Sequence, residues 1–153
     1  MNVVRVVNES RLSVLGGHIR MADTLAARLR GFLFRHKPAI GEGLFLAPCK
    51  GVHMYGMRFP LDILFINKAG LVIAAHPALA PGRRTPVYPA AQYALELPSG
   101  AIADTGTVVG DRLSWRPVGI VTDDISNGGT GAGRNGGIRM DGVAATATEG
   151  QSV

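Results

Sequence analysis

Leu61-Asp62-Ile63-Leu64-Phe65-Ile66, Asn67-Lys68-Ala69-Gly70 and Leu71-Val72-Ile73-Ala74-Ala75 follow one another without a break. The first and third runs are apolar and rich in branched side chains, the composition that suits a pleated surface. The four residues between them carry turn chemistry, with Gly70 fitted to a left-handed position. Together they predict a β-hairpin, and its frame extends outward along the chain. Downstream, Pro77, Pro81, Gly82, Pro86 and Pro89 break the pattern. The stretch 77–91 therefore reads as a loop of about 15 residues, long enough for a compact domain to make it a functional candidate. Tyr93–Leu97 sets Tyr93, Leu95 and Leu97 against Ala94 and Glu96, the alternation of a half-buried strand. Pro98-Ser99-Gly100 turns the chain, and Val108-Val109-Gly110-Asp111 leads into a strand at Arg112–Trp115, with another expected at Val118–Val121.

Upstream, Val3–Val7, His18–Met21 and Gly43–Ala47 read as strands, and Val52–Met57 as a weaker one interrupted by Gly56. One helix is expected, starting at Asp23 or Thr24, either of which caps a helix well. Leu25, Leu29, Phe32 and Leu33 then share one face, with Arg28, Arg30 and Arg35 mainly off it. Gly41 and Gly43 close that region. Many short strands with one helix predict a mainly β, largely antiparallel sandwich or barrel. From Ser126 onward the chain is Gly-rich and lacks aromatics, so 1–121 reads as the domain and 122–153 as a disordered tail.

The chain has 153 residues and one cysteine, which excludes an internal disulfide framework and a Cys-only zinc site. No apolar run approaches the length of a membrane-spanning helix. Met1–Arg20 lacks a signal-peptide core, so the cytoplasm is the default expectation, and the chain is read as a monomer. Net charge is +5, unevenly spread: 1–117 carries +7 and 118–153 carries −2. A basic body attracts anions. Its cations are mostly isolated arginines without interleaved aromatics, which argues for a solvated basic surface rather than specific nucleic-acid binding.

Several stretches are similar to motifs of the DUF192 family, also called UPF0127. Arg28-Leu29-Arg30-Gly31-Phe32-Leu33-Phe34-Arg35 resembles its R-x-x-G-L-M-x-R opening, and Gly43-Leu44-Phe45-Leu46 its G-M-L-F step. Met57-Arg58-Phe59-Pro60-Leu61-Asp62-Ile63-Leu64-Phe65-Ile66 resembles the signature ending P-L-D-I-I-F-I. Leu95-Glu96-Leu97-Pro98-Ser99-Gly100 matches L-E-L-x-x-G, and Gly110-Asp111-Arg112-Leu113 matches the closing G-D-x-V. Gly56 stands where the family usually has Trp, and Arg58-Phe59 replace its Asn-Thr. Cys49, His53, Met57 and Asp62 resemble a sub-branch reading C-x-x-x-H…M-R-F-P-[IL]-D. The resemblance implies a jelly-roll-like β domain with a helix against one side. It implies no established activity, and it brings an association of this sub-branch with pilus or secretion machinery.

Chemistry concentrates in Cys49–Asp62. Cys49 with His53 invites a thiolate–imidazole pair, yet in an extended chain the two lie about 13 Å apart, so contact needs a turn at Lys50-Gly51. Cys49, His53, Met54 and Met57 are soft donors of the kind Cu(I) favours, but extended backbone spreads them too far to converge. No metal or other cofactor is expected. Asp62, inside an apolar strand, must be exposed or paired, with Arg58 or a helix arginine as the natural partner. Asp62 with Glu96 would be the pair for acid–base work. Arg83-Arg84, in the Pro-rich loop, suits a phosphate or carboxylate. The expectation is a non-catalytic ligand- or protein-binding domain. Its site is expected in a cleft lined by the Cys49–Asp62 segment and bordered by the 77–91 loop, where Cys49, His53, Met57 and Asp62 shape the pocket and Arg83 and Arg84 draw an anionic partner. The alternatives are a Cys/His enzyme, a soft-metal binder, or a purely structural accessory.

Overall fold

β1 (Val3–Asn8), β2 (Ser13–Ala22), β3 (Glu42–Leu46), β4 (Leu61–Asn67), β5 (Val72–Leu79), β6 (Ala91–Pro98) and β7 (Leu113–Pro117) form one sheet, ordered β5-β4-β6-β3-β2-β1-β7. A five-residue helix, α1 (Ala101–Thr105), joins β6 to β7. This computed structural model describes residues 2–24 and 36–119. Neighbouring strands are antiparallel except β2 and β3, which run parallel. The two edges of the sheet meet at one end. Leu71 bridges Arg112, Val72 N–H donates to the Asp111 carbonyl at 2.9 Å, and Leu113 N–H donates to the Gly70 carbonyl at 2.8 Å. The sheet is thus curled into a half-barrel. Gly70 makes this seam possible: its φ is +85°, and a Cβ there would lie 2.9 Å from the Leu113 carbonyl oxygen.

Curling buries both faces of the central strands. β4 is buried at every position from Leu61 to Ile66. Leu64 and Ile66 point inward with Val6, Ile19, Phe45, Leu95 and Leu97, and Ile102 of α1 joins them. Leu61, Ile63 and Phe65 point outward onto Leu44, Leu46 and Ala94, where Val52 and Met54 cover them. Each such large side chain contributes roughly 1.5–3 kcal/mol on burial.

The mainly β, largely antiparallel domain expected from the sequence is the one observed, and the barrel form prevails. Its details differ in places. The hairpin forms, with Asn67 accepting from the amides of Ala69 and Leu71 through its side chain. β5 continues through Pro77 to Leu79, so the Pro-rich loop shortens to 80–90. Proline is tolerated there because β5 is the last strand on its side of the sheet. Val52–Met57 is not a ladder strand: it contributes one isolated bridge, His53 to Arg84. Gly56 at φ +76° and a turn bond from Met57 N–H to the Met54 carbonyl end its extended run. α1 follows what the sequence reads only as a turn. The helix expected from Asp23 or Thr24 and the tail expected at 122–153 lie outside the described residues. The described strands all belong to a unit spanning Met1–Val118.

Candidate functional site

The segment 49–57 is held across the outer face by alternation. Val52 and Met54 turn inward and are buried, whereas His53 and Tyr55 turn outward. Their backbone pairs with the Pro-rich loop: Thr85 N–H donates to the Val52 carbonyl at 2.9 Å, and Met54 N–H to the Arg83 carbonyl at 2.7 Å. Tyr88 N–H donates to the Lys50 carbonyl at 2.8 Å, and the buried Thr85 Oγ1 accepts from Val52 N–H at 3.0 Å. The result is a two-stranded ribbon lying on the sheet.

An open groove of about 600 Å³ runs along this ribbon, within the size range of small-ligand sites. Lys50, His53, Tyr55, Arg84, Pro86 and Val87 are among its walls, with Gly51, Val52 and Thr85 completing them. No carboxylate of the described residues lines it. Tyr55 is 50% exposed and Val87 71% exposed. The His53 and Tyr55 rings stack with centroids 4.9 Å apart and planes 23° from parallel. Among the described residues, the groove therefore offers cations, an aromatic platform and apolar contact, and nothing negative.

The expected site residues separate. His53 and Arg84 come together in this groove, as cross-strand partners. Arg83 is exposed beside it and lends its carbonyl to the ribbon. Cys49 is half-buried against the outer core, and its thiol donates to the Gly51 carbonyl at 3.2 Å rather than to His53. Met57 is half-buried against the same core. Asp62 stands apart, 1% exposed on the inner face. Its oxygens accept from the amides of Ala78 at 2.8 Å, Gly100 at 3.1 Å and Ile102 at 2.8 Å. The expected Arg58 partner is not used: Arg58 is exposed, and three backbone amides answer the carboxylate instead. Asp62 thereby holds Ala78, at φ +48°, and the start of α1 in place. Lys50, Tyr55, Pro86 and Val87 are not singled out by the sequence, although they lie in the segment and the loop expected to form the cleft. The only signal was the two-residue spacing of His53 and Tyr55.

Two further titratable groups lie on the outer face. Glu96, cross-strand from Leu44 and Ile63, is 6% exposed and has no hydrogen-bond partner among the described residues. Burial pushes its carboxyl up to about 7. His76 Nε2 lies 2.8 Å from the Tyr88 hydroxyl, and burial pulls its imidazole down from its ordinary value. Asp62 and Glu96 share the β4–β6 pair but point to opposite faces, so they do not form an acid–base couple. Among the described residues no three His, Cys, Asp or Glu side chains converge as a metal site. No helix among them is long and apolar enough to cross a membrane.

The model of the family DUF192, described as "Uncharacterized ACR", matches residues 6–115. The chain belongs to the DUF192 family. The UPF0127 protein of Thermococcus kodakarensis is 28% identical over 117 residues, covering 73% of each chain. That of Pyrococcus abyssi is 28% identical over 116 residues, 72% of this chain and 96% of its own. A crystal structure of a protein of unknown function from Novosphingobium aromaticivorans superposes with a TM-score of 0.64 at 25% identity, covering 74% of this chain and 84% of its own. In this DUF192 domain, Asp62 of the P-L-D step and Asp111 of the G-D step are both buried hydrogen-bond hubs. Asp111 Oδ2 accepts from Asn8 Nδ2 at 2.9 Å, Arg11 Nε at 3.0 Å and Val108 N–H at 3.0 Å. Burial raises the Asp111 carboxyl, but these donors and the Arg11 charge outweigh it and hold it below its ordinary value. Both motif carboxylates thus serve the architecture.

Proposed function

We propose that this protein is a non-catalytic binding module and that the groove between 50–55 and 84–87 takes an anionic partner. The observation that carries this reading is the wall composition: Lys50, His53 and Arg84 without a carboxylate among the described residues, beside exposed Tyr55 and Val87. Charge of one sign focused in a concave site raises the local concentration of the opposite charge. The exposed apolar side chains add contact area that a solvated basic patch lacks. Cys49, Met57 and Arg83 support the groove from its margins. A role beside pilus or secretion machinery enters this reading through the sub-branch resemblance alone.

A blocked hexaglutamate peptide, titrated into isotope-labelled protein and followed by amide NMR, tests the reading. Shifts are expected to cluster on 50–55 and 84–87, and to vanish in a Lys50→Glu/Arg84→Glu variant. Shifts scattered over the whole basic surface would contradict it.

A further inference from the structure

The ribbon beside the groove has an open backbone edge. Val52 and Met54 spend their hydrogen bonds on the loop strand. The alternate residues do not: among the described residues nothing engages the N–H or C=O of His53, nor the N–H of Gly51 or Tyr55. In an extended chain these groups point away from the existing partner, along the free side. They recur every second residue, which is the spacing another strand needs. The opposite side of the ribbon is less open, because Pro86 has no N–H to offer. Exposed edges of this kind template the addition of an extended peptide.

Resting on the proposed anion-binding groove, we infer that the partner is an extended acidic segment of another protein, added as a strand along Gly51–Tyr55. A strand there lies about 4.8 Å from the ribbon. Its outward side chains sit next to the His53–Tyr55 stack and reach toward Lys50 and Arg84. Main-chain bonds to His53 supply affinity without regard to sequence, and the cations select carboxylates over other side chains. A small free anion would use the cations and leave the His53 backbone untouched.

The probe is a blocked octapeptide alternating threonine and glutamate, compared with the same peptide N-methylated at its four central residues. Methylation leaves the charge and removes the main-chain donors on both peptide edges, and it leaves the protein's fold untouched. The unmethylated peptide is expected to bind at least tenfold more tightly. It should also slow hydrogen exchange of the His53 and Tyr55 amides at least tenfold. Equal binding by both peptides, without protection at His53, overturns strand addition and leaves the anion groove standing. Failure of both peptides and of hexaglutamate overturns the groove and the strand together. Protection of His53 that rises with protein concentration, without peptide, assigns the edge to a second copy of this chain and overturns the acidic segment.

Discussion

Asp62 and Arg84 are both charged, and the molecule treats them in opposite ways. Asp62 is sealed on the inner face, with three backbone amides on its two oxygens. Arg84 stands exposed in a groove, beside a lysine and a histidine, with no carboxylate of the described residues in the walls. Asp111 resembles Asp62, and Lys50 resembles Arg84. A charge whose interactions are satisfied internally defines the architecture, and removing it costs stability. A charge left open contributes little to folding and is available to a partner. Asp62, one of the two carboxylates the sequence offers for acid–base work, belongs to the former class, as does Asp111. The surface proposed for binding lies in the less patterned segment between β3 and β4 and in the Pro-rich loop.

The largest expected effect tests the inner side of this contrast. Asp62→Ala strands three amide donors around Ala78 and α1, and should lower stability by about 3–5 kcal/mol in urea denaturation. A change under 1 kcal/mol would place Asp62 among the open charges. Asp111→Ala should cost somewhat less, about 2–4 kcal/mol by the same measurement, because Asn8 Nδ2 keeps its bond to Thr107 Oγ1. The Asp111 contribution is present above the ordinary carboxylate range and is lost as pH falls into and below it, since its folded carboxyl is held low.

Glu96 sharpens the comparison, being buried like Asp62 but without a hydrogen-bond partner among the described residues. Its folded carboxyl is raised to about 7, so the folded state keeps a proton that the unfolded chain releases above its ordinary value near 4.5. Its contribution is therefore fully present below that value and is lost as pH rises through about 7. Glu96→Gln should leave stability at pH 4 nearly unchanged and raise it at pH 8 by up to about 3 kcal/mol. Equal effects at the two pH values would mean that the Glu96 carboxyl is not raised by folding, and a loss of stability at pH 8 would mean that it is ionised and paired there. His76, held low by burial, should oppose stability in acid, as the unfolded chain takes up its proton first. The smallest effect belongs to the groove. Lys50→Glu with Arg84→Glu should shift stability by no more than about 0.5 kcal/mol while removing anion binding.

The sequence makes the inner side readable and the outer side almost unreadable. The hairpin, Gly70 and the alternation of β6 follow from local rules, because period-two burial and turn chemistry are written in adjacent residues. The burial of Asp62 was legible as a need for a partner. The partners were not, because they are amides of residues 78, 100 and 102, and every residue of the chain except proline carries such a donor. α1 escaped because five residues carry no helical period. A cleft between the Cys49–Asp62 segment and the 77–91 loop is expected from the sequence, but the way the groove is built is not, for a related reason. It is made by pairing 52–54 with 83–85 across the Pro-rich loop; 52–57 reads as a weak strand, but 83–85 carries no strand pattern that would reveal its partner. Arg84 and His53 were singled out for their chemistry, but their adjacency is a property of that pairing.

The most direct test of the central claim is the affinity of the hexaglutamate peptide for two charge-matched variants, measured by calorimetry at one salt concentration. Lys50→Glu/Arg84→Glu reverses two charges in the groove. Arg5→Glu/Arg116→Glu reverses two on the paired exposed positions of β1 and β7. At least a tenfold loss in the first variant, with the second within about twofold of the unmodified protein, is the predicted result. An equal loss in both would mean that the anion reads only net charge, contradicting a specific site at the groove.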